Sequence, residues 1–500
     1  VTEIARRLSW PTKFAFGIGA VGEAVYLGLF NTFITIFYNQ AIGLSNTLIG
    51  VAIMLAMIGD AITDPLVGIV SDRWQSRHGR RHPFLFIAPI PLCIAIYAIF
   101  HPPAFMTESM EVSQWGLFIW LAVWTILSRA MLTLYSVPHL ALGGELSNDQ
   151  HQRSQLFSVN TIFAYVGGAG FGFAAWSWFF AGDRVRASDG ALVSGHLDPT
   201  AYGPLIILAC ALLLVAIWGC AAGTYRQIPH LSAGERNANR LTLVAMLKEI
   251  GTTFKNRNYV VILIGYFFFM IASGIYDTLN VFINTYFWAL KPEQIRWLGL
   301  IAGPAAMLGA ICSPILMRRF DRKPVMLGAL AGTTLFAQLV VNLRLLGFMP
   351  PNSDPMLLPL LLANAAGFTF TLGVGVVAMM SMIGDIVDQN ELVTSRRQEG
   401  LFYSARAFFA KASYSFGHFF AGIMLDLFVR FPMQAVPGEL APDVLVRLGV
   451  MAGPMMGLAA IIALLVYSRY TLSRDEHAQI LAQLRALREK QPQAIPAPAE

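Results

Sequence analysis

Charge is scarce in this chain. Asp, Glu, Lys and Arg together make up 13% of its 500 residues and hydrophobic side chains 56%, whereas a soluble globular domain carries charge on about a quarter of its residues. With a positive mean hydropathy, that shortage excludes a soluble domain. Cysteine is scarcer still. Cys93, Cys210, Cys220 and Cys312 all fall in apolar stretches with no metal-ligand spacing, which leaves apolar packing as their role. No nucleophile, base and metal set converges anywhere, so the chain does not read as an enzyme and implies no cofactor. Nor does a cleavable signal peptide stand out: the first hydrophobic stretch is too long for one and is followed at once by another.

What is present is apolar sequence in lengths that cross a bilayer. About twelve such stretches can be drawn, near 13–40, 46–70, 84–101, 114–143, 155–181, 203–223, 259–287, 297–316, 324–347, 356–384, 400–428 and 446–469. These are helices, because membrane barrels use short alternating segments instead. Most Lys and Arg residues fall on one side if the amino terminus is cytoplasmic, which predicts both termini inside a bacterial plasma membrane. The net charge of +6 is thus a topology signal, and the scattered basic residues offer no nucleic-acid surface.

Six stretches precede a polar, basic loop and six follow it. Pro65 stands seven residues before Asp72-Arg73 in span 2, and Pro314 stands seven before Asp321-Arg322 in span 8, so the halves derive from one repeat. The expected architecture is an all-α membrane protein of the major facilitator type: a six-helix bundle at 1–225, a central cytoplasmic loop at 226–258, and a second bundle at 259–470. A cytoplasmic amphipathic helix and disordered tail are expected at 471–500. Paired bundles of this kind hold substrate at the midplane between them.

Charged residues at membrane depth are costly and therefore informative. Asp60 and Asp64 lie four apart on one face of span 2, and in the repeat their places are taken by Gly309 and Ser313, so the turn does not need them. Glu23, Arg129, Asp277, Arg406 and Lys411 are further charged residues deep within spans, with Asp60 and Asp64 available as counter-ions for Lys411. Paired acids can hold sodium with hydroxyl oxygens or share a proton, and either state neutralises them for movement. Polar neighbours mark a cavity wall: Tyr26, Tyr135, Ser136, His139, Asn160, Thr161, Tyr276 and Asn280. For His139 a structural hydrogen bond competes with a relay role. An inner gate is expected from Asp72, Arg73, Arg77, Arg80, Asp385, Asp388, Arg397 and Glu399.

The string Asp60-x-x-x-Asp64-Pro65-x-x-Gly68-x-x-x-Asp72-Arg73-x-x-Ser76-Arg77-x-Gly79-Arg80, with Glu399-Gly400-x-x-Tyr403-Ser404 and Lys411, resembles the glycoside-pentoside-hexuronide:cation symporters, the melibiose carrier group. The resemblance implies that Asp60 and Asp64 bind the coupling cation, that Thr63 and Thr133 add oxygens, and that Lys411 couples ion to substrate. Sodium and proton stay open, as Asn often stands at Thr63 where sodium is used. The galactoside-binding acids of that group fall at Ala24 and Ser136, its span 4 Trp at Leu140 and its span 5 Arg near Thr161. Asp277 falls near an acid of the related lysolipid carriers. Two substrates are therefore expected, a sugar or glycoside, and alternatively an amphiphile or organic acid. A transport-inactive receptor is the reading from another class. The expected partners are the solute and the bilayer, with a monomeric protein.

Overall fold

The computed structural model describes residues 8–107, 113–147, 149–186, 190–231, 251, 253–394 and 399–490. Among them are twelve helices long and apolar enough to cross a membrane: Trp10–Ile42, Asn46–Arg73, His82–Thr107, Gln114–Glu145, Gln152–Phe179, Pro199–Tyr225, Arg257–Phe287, Pro292–Phe320, Arg322–Leu345, Leu357–Thr394, Leu401–Val429 and Pro442–Tyr467. These are spans 1 to 12. Side chains set several of their starts, which matters because the first backbone N–H groups of a helix have no partner within it. Ser9 accepts from the Thr12 amide, Ser113 from Gly116 and Asn256 from Tyr259. Asp321, between spans 8 and 9, has φ of 72° and accepts from the Arg322 amide.

The repeat expected from the two Pro–Asp-Arg strings governs packing. In the first half span 1 packs on spans 5 and 6, span 4 on spans 2 and 3, and span 3 on span 6. The second half repeats every one of these pairs, as 7 with 11 and 12, 10 with 8 and 9, and 9 with 12. Between the bundles span 2 packs on 11, span 5 on 8, and span 1 on 7. The symmetry extends to helix endings: spans 1, 5, 7 and 11 all finish in a π-helical turn, Phe37–Ile42, Ala175–Phe179, Ile283–Phe287 and Leu425–Val429. These four lie on one side of the molecule, here called the Asp426 side. The opposite end, with the turn between spans 2 and 3, is the Arg81 side.

Spans 7 and 11 touch backbone to backbone. A Cβ on Gly274 would lie 2.3 Å from the Tyr414 carbonyl oxygen, and one on Gly417 would lie 2.4 Å from that of Ile271. Small residues allow this approach, which membrane helices use in place of a hydrophobic driving force.

The loop after span 5 carries a short hairpin. Asp183–Val185 pairs antiparallel with Leu192–Ser194, and Arg186 is wholly buried, donating to the Gln40 and Gln434 carbonyls. His196 is buried against Trp176 and Phe180 and hydrogen-bonds the Thr285 hydroxyl of span 7 at 2.8 Å. The helix Arg474–Lys490 follows span 12 as expected. The middle of the central loop (232–250) and the tail from 491 lie outside the described residues.

Two outcomes follow. Gly417→Val is expected to lower the thermal stability of the purified protein by about 1–3 kcal/mol, since overpacking displaces backbone. Burial pushes the His196 imidazole down from 6.5 to about 3. The unfolded chain therefore takes up a proton below 6.5 that the folded one refuses, and stability falls as pH drops through that window. His196→Gln should flatten this dependence in thermal unfolding followed from neutral pH into acid.

Candidate functional site

The acids of span 2 meet cations from two other helices, and each acid has a different partner. Arg129 of span 4 donates to Asp60 Oδ2 through Nε at 2.8 Å and Nη2 at 2.5 Å. That pair is closed off: the side chains are 6% and 3% exposed. Asp64, one helical turn on, accepts from the Thr133 hydroxyl at 2.8 Å and pairs with Lys411 of span 11. This second pair is open, with Lys411 40% and Asp64 30% exposed. Lys411 also stands 3.8 Å from Asp60 Oδ2. Of the two acids available to Lys411, Asp64 makes the closer pair, because the larger guanidinium forks onto Asp60. Arg129 thus belongs to the charge cluster.

Further groups surround this cluster. Tyr26 hydrogen-bonds Ser128 at 2.9 Å and lies beside Arg129 and Asp60. Glu23, one turn earlier on span 1, lies within electrostatic reach of Lys411 and Asp64. Two buried oxygens have no hydrogen-bond partner, Asp60 Oδ1 and Thr63 Oγ1. Oxygens of this kind, like those of Asp64 and Thr133, are what hard cations prefer. Among the described residues no three acidic, histidine or cysteine side chains gather as a metal centre.

From the second bundle, Asp277 of span 7 accepts from the Tyr414 hydroxyl of span 11, and Thr278 hydrogen-bonds His418 at 2.6 Å. The Gly274–Gly417 contact makes this bridge possible. Tyr414 and His418 both lie within electrostatic reach of Arg129, so the two clusters face each other across the bundle interface. Tyr276 stacks on Phe368, and Asn280 accepts from Asn284 at 3.0 Å. Tyr414 and His418 escaped the sequence reading; their spacing from Lys411, three and seven residues along one helical face, was the available signal.

Other expected site residues lie elsewhere. His139 is held as packing: Nε2 hydrogen-bonds the Phe16 carbonyl at 3.1 Å while the ring stacks on Phe16 and Tyr135. Tyr135 is buried against Gly19, and Ser136 is half-buried beside it. The Thr161 hydroxyl donates to the Phe157 carbonyl of its own helix, whereas Asn160 keeps a buried oxygen without a partner. Arg406 is bound within the second bundle, with Nη1 3.0 Å from the Tyr266 hydroxyl. Its five-residue offset from Lys411 carries it away from the charge cluster.

The described residues of the expected inner gate make the following contacts. Asp72 pairs with Arg81, and Glu145 accepts from Arg80 at 2.8 Å and from Arg81 at 2.9 Å. Arg73 is exposed, and Arg77 donates to His78. In the second half Asp385 accepts from Arg322 at 3.0 Å, and His477 of the last helix reaches Asp388 at 3.0 Å and Asp385 at 3.5 Å. These pairs tie each bundle to itself rather than closing one against the other. Glu145 was missed, although it stands at the end of span 4 where the repeat places Asp385 at the end of span 10. Arg397 and the Glu399 side chain lie outside the described residues.

The model of a family described as MFS/sugar transport protein matches residues 15–474. The chain belongs to that family. It is therefore a membrane transporter, not an enzyme, as the glycoside-pentoside-hexuronide:cation resemblance implied. It is 25% identical to an uncharacterized symporter of Synechocystis sp., over 96% of this chain and 98% of the other. It is 22% identical to a raffinose carrier protein of Pediococcus pentosaceus, over 94% of this chain and 71% of the carrier. The fold is similar to that of the nucleoside transporter NupG, with a TM-score of 0.58 at 13% identity, covering 93% of this chain and 100% of that one.

The unequal exposure of the two pairs predicts unequal mutants. Arg129→Met leaves Asp60 buried with only the more distant Lys411 at 3.8 Å and should cost about 3–5 kcal/mol, read as a large loss in thermal stability. Lys411→Met, at a half-exposed pair, should cost well under half as much while still impairing transport.

Proposed function

We propose that this transporter is a cation-coupled importer of a small polyhydroxylated solute, most simply a sugar or glycoside, working by alternating access. The observation that carries the reading is the open pair of Asp64 and Lys411, which joins the two bundles at the place where Thr133 and Thr63 offer further oxygens. Asp60, Asp64 and Glu23 carry one negative charge more than Arg129 and Lys411. A single sodium ion or proton at Asp64 balances the cluster and releases Lys411, so the bundles rock without moving net charge at membrane depth. Asp60 stays locked by Arg129 and holds span 2 in register while Asp64 exchanges. Glu23 and Asp277, from opposite bundles, serve as acceptors for substrate hydroxyls, and the carboxylate-rich setting favours a polyol over an organic acid. The Arg81 side, with both ends of the described chain, is assigned to the cytoplasm from its basic loops, and the monomer carries the whole site.

The test is uptake into proteoliposomes of a panel of sugars, lysolipids and organic acids, under a sodium gradient and separately under a proton gradient. One sugar should accumulate against its gradient with one of the two ions. Asp64→Asn should abolish that accumulation while preserving downhill exchange. Accumulation of a lysolipid instead, or sugar uptake indifferent to both ions, would overturn the reading.

A further inference from the structure

Spans 2 and 11 carry a second polar clasp, on the Asp426 side, which the charge cluster does not explain. Asp426 lies in the final π-helical turn of span 11. Its Oδ2 accepts from the Ser45 hydroxyl at 2.6 Å and the Thr47 amide at 2.8 Å, and its Oδ1 from the Asn46 side chain at 2.9 Å and the Asn46 amide at 3.3 Å. All four donors belong to the other bundle, and among the described residues no Lys, Arg or His pairs with this acid.

Span 2 makes no cap of its own. Ser45 is in the N-cap position, yet its hydroxyl makes no bond to the helix and is turned to Asp426. The orphan amides and the positive end of the helix dipole are thus satisfied by a carboxylate from across the interface. Backbone contact seals the arrangement, since a Cβ on Gly422 would lie 2.3 Å from the Asn46 carbonyl oxygen. Opening this side must break all four bonds together and expose both the carboxylate and the uncapped helix start.

We propose that Asp426 is the positioning residue that keeps the Asp426 side closed, by supplying from span 11 the N-terminal cap of span 2. Span 2 carries Asp60 and Asp64, and span 11 carries Lys411, so one antiparallel helix pair bears both clasps. Asn46 and Asp60 are fourteen residues apart, roughly 21 Å along the helix. Release of Lys411 at mid-depth leaves this far clasp, with the Ser415 hydroxyl on the Met57 sulfur, to hold the two spans together, and its opening follows as a separate step. The proposal stands on the fold and does not require the coupling ion or substrate proposed above.

The experiment places a reporter, Asn284→Cys, in a background without the four native cysteines. Asn284 is buried near the Asp426-side end of span 7. Labelling by a membrane-impermeant maleimide from the Asp426 side is compared with and without Asp426→Ala, together with amide exchange along span 2. Labelling should rise severalfold, and exchange should rise over residues 45–50 while residues 66–73 keep theirs. Unchanged labelling, or exchange raised evenly along span 2 as a general loosening would give, overturns the proposal. Should Asp426→Ala fail to fold, Ser45→Ala with Asn46→Ala removes two donors and leaves the acid, and the same two outcomes decide. Transport is not the readout, so failure here is distinct from failure of the symport reading.

Discussion

The pairing of Asp64 with Lys411 is the contact on which the rest of the arrangement depends. Each charge alone would be expensive at membrane depth, and each belongs to a different bundle, so the cheapest state of the molecule is one in which spans 2 and 11 are held together. Anything that satisfies Asp64 in place of the lysine removes that tie. The protein keeps this possibility by leaving the pair half-exposed beside Thr133, while Asp60, four residues away, is sealed by Arg129. Two carboxylates that look equivalent in the sequence therefore have unlike surroundings, one sealed between spans 2 and 4 and the other half-exposed between spans 2 and 11.

The remaining ionic contacts follow a different rule. At the Arg81 side Arg80 and Arg81 pair with Glu145, and Arg322 with Asp385, each within its own bundle. Each set stiffens one rocking body. On the Asp426 side the polar contacts cross between the bundles: Gln40 donates to the Pro432 carbonyl at 3.0 Å and accepts from Tyr286 at 2.7 Å, His196 reaches Thr285, and Asp426 caps span 2. Bodies stiffened separately at one end and joined at the other are suited to a rigid-body swing about the midplane, which is how alternating access is achieved in repeat-built carriers.

Much of the architecture was legible in the chain. The twelve spans fall where apolar length placed them, and the duplication seen in two short strings reappears in the main helix pairings of the two halves. The convergence of Asp64, Thr133 and Lys411 was also anticipated through the span 2 string. The partners of Arg129 and Arg406 were not legible, because these residues are placed by depth and residue type whereas their partners depend on which way a helix is turned. Asp426 shows the same limit: in sequence it is one acid near the end of an apolar stretch, and nothing local says that its four donors lie some 380 positions away.

What the sequence determined by itself is whatever depends on the solvent each segment meets. Burying an unpaired backbone group or a charge in hydrocarbon is prohibitive, so composition alone dictates helices, their number, their duplicated order and the few polar residues that must face a cavity. Tertiary structure decided which charges pair, which pair stays open, and which bundle each tie belongs to. Those outcomes rest on the rotation and register of packed helices, set by contacts as close as Gly274 on Gly417, where a single methyl group would change them.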